Sequence, residues 1–199
     1  MQRALLLLFI SLLTTHLKSQ TVEITFEVFY KSKSIGNLYA TEKKTKKTVI
    51  KDLRTTTQLD IIAISIHVES EVKILKKDEK LIQSVSYRNA NKGTEEISSN
   101  IKKVGHKDYD VNRNGEDSKI ENIEIGYCTV DLYFDEPVDI KAVFSTMYAE
   151  FLEIEEVSPH RYKLSSPKSK DTFYTYKNGQ LVVVEIDTPL GMVTCNRIE

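Results

Sequence analysis

The chain has 199 residues, 40% of them hydrophobic, with a formal net charge of −1, two cysteines and four histidines. That length points to one domain with an appendage. A near-neutral balance with no basic cluster of phosphate-binding density excludes nucleic acid as a partner.

The appendage comes first. Met1-Gln2-Arg3 is a short positive region, Ala4 to Leu13 is apolar apart from Ser11, and Thr14 to Gln20 turns polar around Ser19. This is the order of a cleavable secretory signal peptide over residues 1–19, and the run is half the ~20 apolar residues a spanning helix needs. Cleavage after Ser19 removes Arg3 and Lys18 and no acid, so 28 basic residues fall to 26 against 29 acidic ones, a net −3. No cysteine near residue 20 offers a lipid anchor. The expectation is an exported protein, periplasmic or secreted, with one β-rich domain over 20–199.

From Thr21 the pattern has period two: Val22, Ile24, Phe26, Val28 and Tyr30 alternate with polar residues, as in a half-buried strand. Ile35 to Tyr39 begins a return strand, and Lys43, Lys44, Lys46, Lys47 and Lys51 form a lysine-rich stretch that shields a hairpin or an edge. Leu59 to Leu75 reads as one long β-branched strand. Leu81 to Arg88 and Thr94 to Val104 make a hairpin, Asn114-Gly115 a turn, and Ile123 to Phe134 a strand region with Gly126 as a bulge. After Pro137, Asp139 can cap a short helix in which Ile140, Val143, Phe144, Met147 and Tyr148 share one face. Strands resume at Phe151, and Asn178-Gly179 is the strongest hairpin signal in the chain, with Met192 to Arg197 as the last strand.

The sum is a mainly β protein: a curved antiparallel sheet of about eleven strands, forming an open or closed barrel, with one short helix packed against it. Charges such as Glu23, Glu27, Lys51, Glu69, Glu71 and Lys73 at the positions off the core exclude a lipid-facing barrel.

No nucleophile, phosphate-loop or metal motif is present, and no cofactor is expected; His67, His106 and His160 are widely spaced singletons. Glu153 and Glu155 share one strand face, so a carboxylate hydrolase is the least supported reading. The apolar supply says more. One helix covers only part of such a sheet, which either fills with side chains or leaves a groove for an apolar or amphipathic small molecule or lipid. The lining expected for that groove is Phe26, Val28, Ile64, Ile66, Tyr133, Phe144 and Tyr148. The alternative is a structural or interaction module of the cell envelope with no small ligand. Cys128 and Cys195 are either a disulfide, which export permits, or two small core residues.

Several short patterns carry a resemblance. They are Ile35-Gly36-Asn37-Leu38, Leu132-Tyr133-Phe134-Asp135-Glu136-Pro137, Tyr174-Thr175-Tyr176-Lys177-Asn178-Gly179 and Asp187-Thr188-Pro189-Leu190-Gly191. Together they resemble an uncharacterised family of secreted Bacteroidetes proteins, a domain of unknown function. More distantly, the layout is similar to periplasmic curved-sheet carriers such as the lipoprotein carrier LolA. That likeness implies an open barrel sheltering hydrophobic ligands, without implying any catalytic residue.

Overall fold

A computed structural model describes residues 20–61, 64–92, 95–166 and 169–198; the expected signal peptide lies outside them. Among the described residues, fourteen strands form one antiparallel sheet. In chain order they are β1 Gln20–Tyr30, β2 Lys33–Lys44, β3 Thr48–Ile61, β4 Ile64–Lys77, β5 Lys80–Ala90, β6 Ile97–Lys103, β7 Tyr109–Arg113 and β8 Glu116–Ile120. After a crossover come β9 Ala142–Ser145, β10 Glu150–Ser158, β11 Arg161–Ser166, β12 Ser169–Lys177, β13 Gln180–Thr188 and β14 Gly191–Ile198.

The spatial order is β8 through β1, then β14 down to β9. The first and last strands are therefore neighbours in mid-sheet, with Val28 opposite Cys195. The two edge strands, β8 and β9, are consecutive in the chain and do not pair, so the sheet is open. Residues 121–141 must cross from one edge to the other.

Strand parity follows the sequence pattern. Ile24, Phe26 and Val28 of β1 are buried, while β3 turns Val49, Lys51 and Leu59 inward. Tight turns sit where Asn-Gly stands: Asn114 and Gly115 have φ of 52° and 85°, and Asn178 and Gly179 have 53° and 74°. Both residues are left-handed in each pair, as the twist-matched two-residue hairpin requires.

Three expectations are corrected. The strand count among the described residues is fourteen, partly because the Leu59 to Leu75 run folds back on itself, with Ile61 opposite Ile64; Ile61-Ile62-Ala63-Ile64 carries none of the Gly, Pro, Asn or Asp that signals a turn. Residues 123–134 are not a strand but an extended stretch followed by a 3-10 helix, Thr129–Tyr133. The helix expected after Asp139 is absent. Asp139 instead takes φ of 61°, and residues 142–145 form β9 against β10. Val143, Phe144 and Ser145 are all buried, and a strand buried on both faces mimics helical spacing.

Gly36 shows what one residue contributes. Its φ is +153°, beside the register shift between β1 and β2, and an added Cβ would stand 2.0 Å from the Thr56 carbonyl oxygen. At Gly179 an added Cβ would meet nothing within 4 Å. G36A should therefore destabilise by about 3 kcal/mol through clash and strain, against about 1 kcal/mol for G179A from its left-handed backbone alone. Urea titrations of both variants check the ranking; equal losses would refute the steric account.

Candidate functional site

The concave face is ordered in rows across the strands. Near the end bearing the β2–β3 turn, Val22, Glu42, Lys51 and Ile74 stand in one row. The next inward row is Ile24, Ala40, Leu53 and Val72, and Phe26 and Leu38 follow in the third. Lys76 lies on the same face by plain alternation with Val72 and Ile74, opposite Val49; the β4–β5 register shift beside it is taken up by Ile82 of β5. The charged row thus borders an apolar floor.

The crossover lies on this floor. The Leu81 N–H donates to the Ile125 carbonyl at 2.8 Å on one side, and the Phe144 N–H donates to the Tyr127 carbonyl at 2.8 Å on the other. Cys128 also forms a parallel bridge to Phe144 at the β9 edge. The 3-10 helix then places Val130, Asp131, Leu132 and Tyr133 inside, all buried.

Asp131 is the centre of the contact. Its Oδ2 accepts the Cys128 N–H at 2.7 Å and the Lys76 ammonium. Lys51 Nζ lies 2.9 Å from its Oδ1, 2.8 Å from Asp135 Oδ2 and 3.2 Å from Glu42 Oε2. Lys76 also donates to the Gly126 carbonyl at 2.8 Å. The side chains of Lys51 and Lys76 are 5% exposed and that of Asp131 is 2% exposed, whereas Asp135 is 62% exposed at the rim. Burial by itself would lower the Lys51 pKa; the Asp131 and Asp135 carboxylates outweigh it and hold the ammonium above the usual lysine range.

Tyrosine hydroxyls tie down the rest of the segment. Tyr176 donates to the Leu132 carbonyl at 2.6 Å, Tyr127 to the Asp135 carbonyl at 2.7 Å, and Tyr162 to Glu136 Oε1 at 3.0 Å. His160 Nδ1 meets the same Glu136 oxygen at 2.9 Å, and that hydrogen bond raises the His160 pKa.

The expected lining residues are mostly brought together, in packed surroundings. Phe26, Val28, Ile66 and Tyr133 share one core cluster, with Tyr148 packed against it. Tyr133 meets Phe26 and Tyr174 edge to face, at 5.7 and 6.2 Å between ring centroids. Phe144 belongs to a second cluster, and the side chain of Ile64 lies outside the described residues. A hollow of about 610 Å³ across β5–β8 is lined by other residues, among them Gln83, Asn100, Lys102 and Asp110.

Lys51 corrects the reading of the lysine stretch: it is buried in the concave face, not off the core. Parity with Val49 and Leu59 was the signal that marked it. Nothing in the sequence pairs it with Lys76 and Asp131. Glu153 and Glu155 are both exposed on β10, and Glu155 pairs with Lys163 at 2.6 Å. His67 lies 3.2 Å from Glu69, His106 is exposed, and no metal-binding group occurs among the described residues.

Cys128 and Cys195 are free, buried thiols and not a disulfide; they belong to different core clusters. Burial pushes each thiol up to about 12.

The fold and its site define an open antiparallel sheet whose concave face is closed by its own crossover segment. The chain belongs to the family described as a domain of unknown function, DUF6134, whose model matches residues 26–198. No curated protein and no solved structure matches it.

Two outcomes follow. D131N leaves the buried Lys76 ammonium with no carboxylate and Lys51 with only Asp135 and Glu42, and should cost about 3–5 kcal/mol, lowering the melting temperature by roughly 10 °C; a shift of under two degrees would show that the cluster carries no such weight. Because the thiol pKa values are raised above their unfolded values, neutral thiols are favoured in the fold, and the associated stability is full below pH about 9 and lost as pH rises through 12. At pH 8 the native protein should leave a thiol reagent unreacted, and the denatured protein should consume two equivalents.

Proposed function

We propose that the protein is an exported, soluble carrier that takes an apolar or amphipathic ligand on the concave face of its sheet, with the crossover as a displaceable lid. The observation that carries this reading is how the face is closed. Its Lys51–Lys76 region is covered by a non-strand segment and not by pairing of β8 with β9, while the β9–β10 turn at Thr146 and Met147 covers β5–β7; the segment is bracketed by two left-handed non-glycine residues, Asn122 at φ 60° and Asp139 at 61°. Such positions are suited to absorb a hinge motion.

The energetics permit exchange. Burying Val130, Leu132 and Tyr133 is worth about 1.5–3 kcal/mol each, and an acyl chain laid in their place gains about 0.8 kcal/mol per buried methylene. A long chain therefore offsets the displaced residues.

A second reading, a closed envelope module acting through its outer surface, draws on the edge-to-face packing of Phe26, Tyr133 and Tyr174. Titration of the mature protein with the apolar fluorophore N-phenyl-1-naphthylamine separates the two. The carrier reading expects saturable binding together with faster amide exchange in residues 123–138. Absent binding and unchanged exchange would establish the closed module instead. Export is checked by the amino-terminal residue of the secreted form, expected to be Gln20.

A further inference from the structure

We infer that the ligand of this site is a single-chain amphiphile with a monoanionic headgroup, bound by Lys51 and Lys76 where the Asp131 carboxylate now stands. The inference rests on the carrier reading and adds the class of ligand. Two buried ammoniums on adjacent strands converge on one carboxylate, and that carboxylate belongs to the lid and not to the sheet. Its neighbours Val130, Leu132 and Tyr133 are apolar and buried, so the lid presents an acid flanked by hydrocarbon, which is the chemistry of the ligand it would give way to.

Charge on the sheet agrees. When the lid leaves, Asp131 and Asp135 leave with it. Lys51 and Lys76 then face Glu42 alone, a net charge of plus one, which one negative headgroup neutralises. A neutral headgroup would leave a desolvated ammonium uncompensated.

The geometry gives the amphiphile its direction. The charged row is at the solvent end, marked by the exposed Asp135. The rows of Ile24, Phe26 and Val28 run away from it on the same face, from Val22 onward. Six residues of strand from the charged row to Val28 span about 20 Å, the reach of a long-chain fatty acid.

The test compares myristate with tetradecanol as competitors for the bound fluorophore on the wild-type mature protein, which needs no variant to fold. Myristate should compete at least tenfold more tightly, and D131N, which weakens the lid's seat, should tighten both competitors while keeping that preference. K51M, checked for a native far-ultraviolet spectrum, should abolish the preference. Equal competition by acid and alcohol would overturn the headgroup assignment and leave the carrier reading standing. Failure of the fluorophore itself to bind would remove both.

Discussion

One carboxylate between two lysines organises this molecule. Placing Lys51 and Lys76 on the concave side of a sheet carries a desolvation cost that no apolar neighbour can offset, and only a counter-charge delivered to the same spot makes it tolerable. Asp131 is that counter-charge. Because it rides on the crossover, the segment joining the two sheet edges has one electrostatically acceptable seat. The 3-10 helix, the rings of Phe134 and Tyr127 against the two ammoniums, and the tyrosine hydroxyls along the segment all follow from that placement.

The same arrangement explains how an open sheet manages without closure. Fourteen strands with the usual twist curl enough to create a concavity, yet the chain spends the residues between β8 and β9 on filling it and not on pairing the edges. The β9 edge is met by the crossover itself at Tyr127 and Cys128. The β8 edge is short and carries Glu116, Asp117 and Lys119, a charged edge of the kind that resists pairing with other chains. In the carrier reading the sheet supplies the binding face and the crossover supplies the lid.

Legibility in the sequence divides along the same line. Strands such as β1 and β14, and the Asn-Gly hairpins, could be read directly, because alternation and left-handed turn residues are local signals. The β3–β4 turn was hidden inside an apolar run. β9 resembled a helix because contacts from both sides bury its consecutive residues. Phe26, Val28 and Ile66 gather in one buried cluster, since parity places them on the same face of the sheet.

The amino-acid sequence by itself determined the class: an antiparallel β domain with an apolar face to cover. These follow from period, turn chemistry and composition, which act over a few residues. Only the tertiary structure decided what covers that face. The contact joins residues 51, 76 and 131, held by strands whose order reverses at the β1–β14 seam, and such a contact has no local signature. A buried charge looks like any other lysine until the fold supplies its partner.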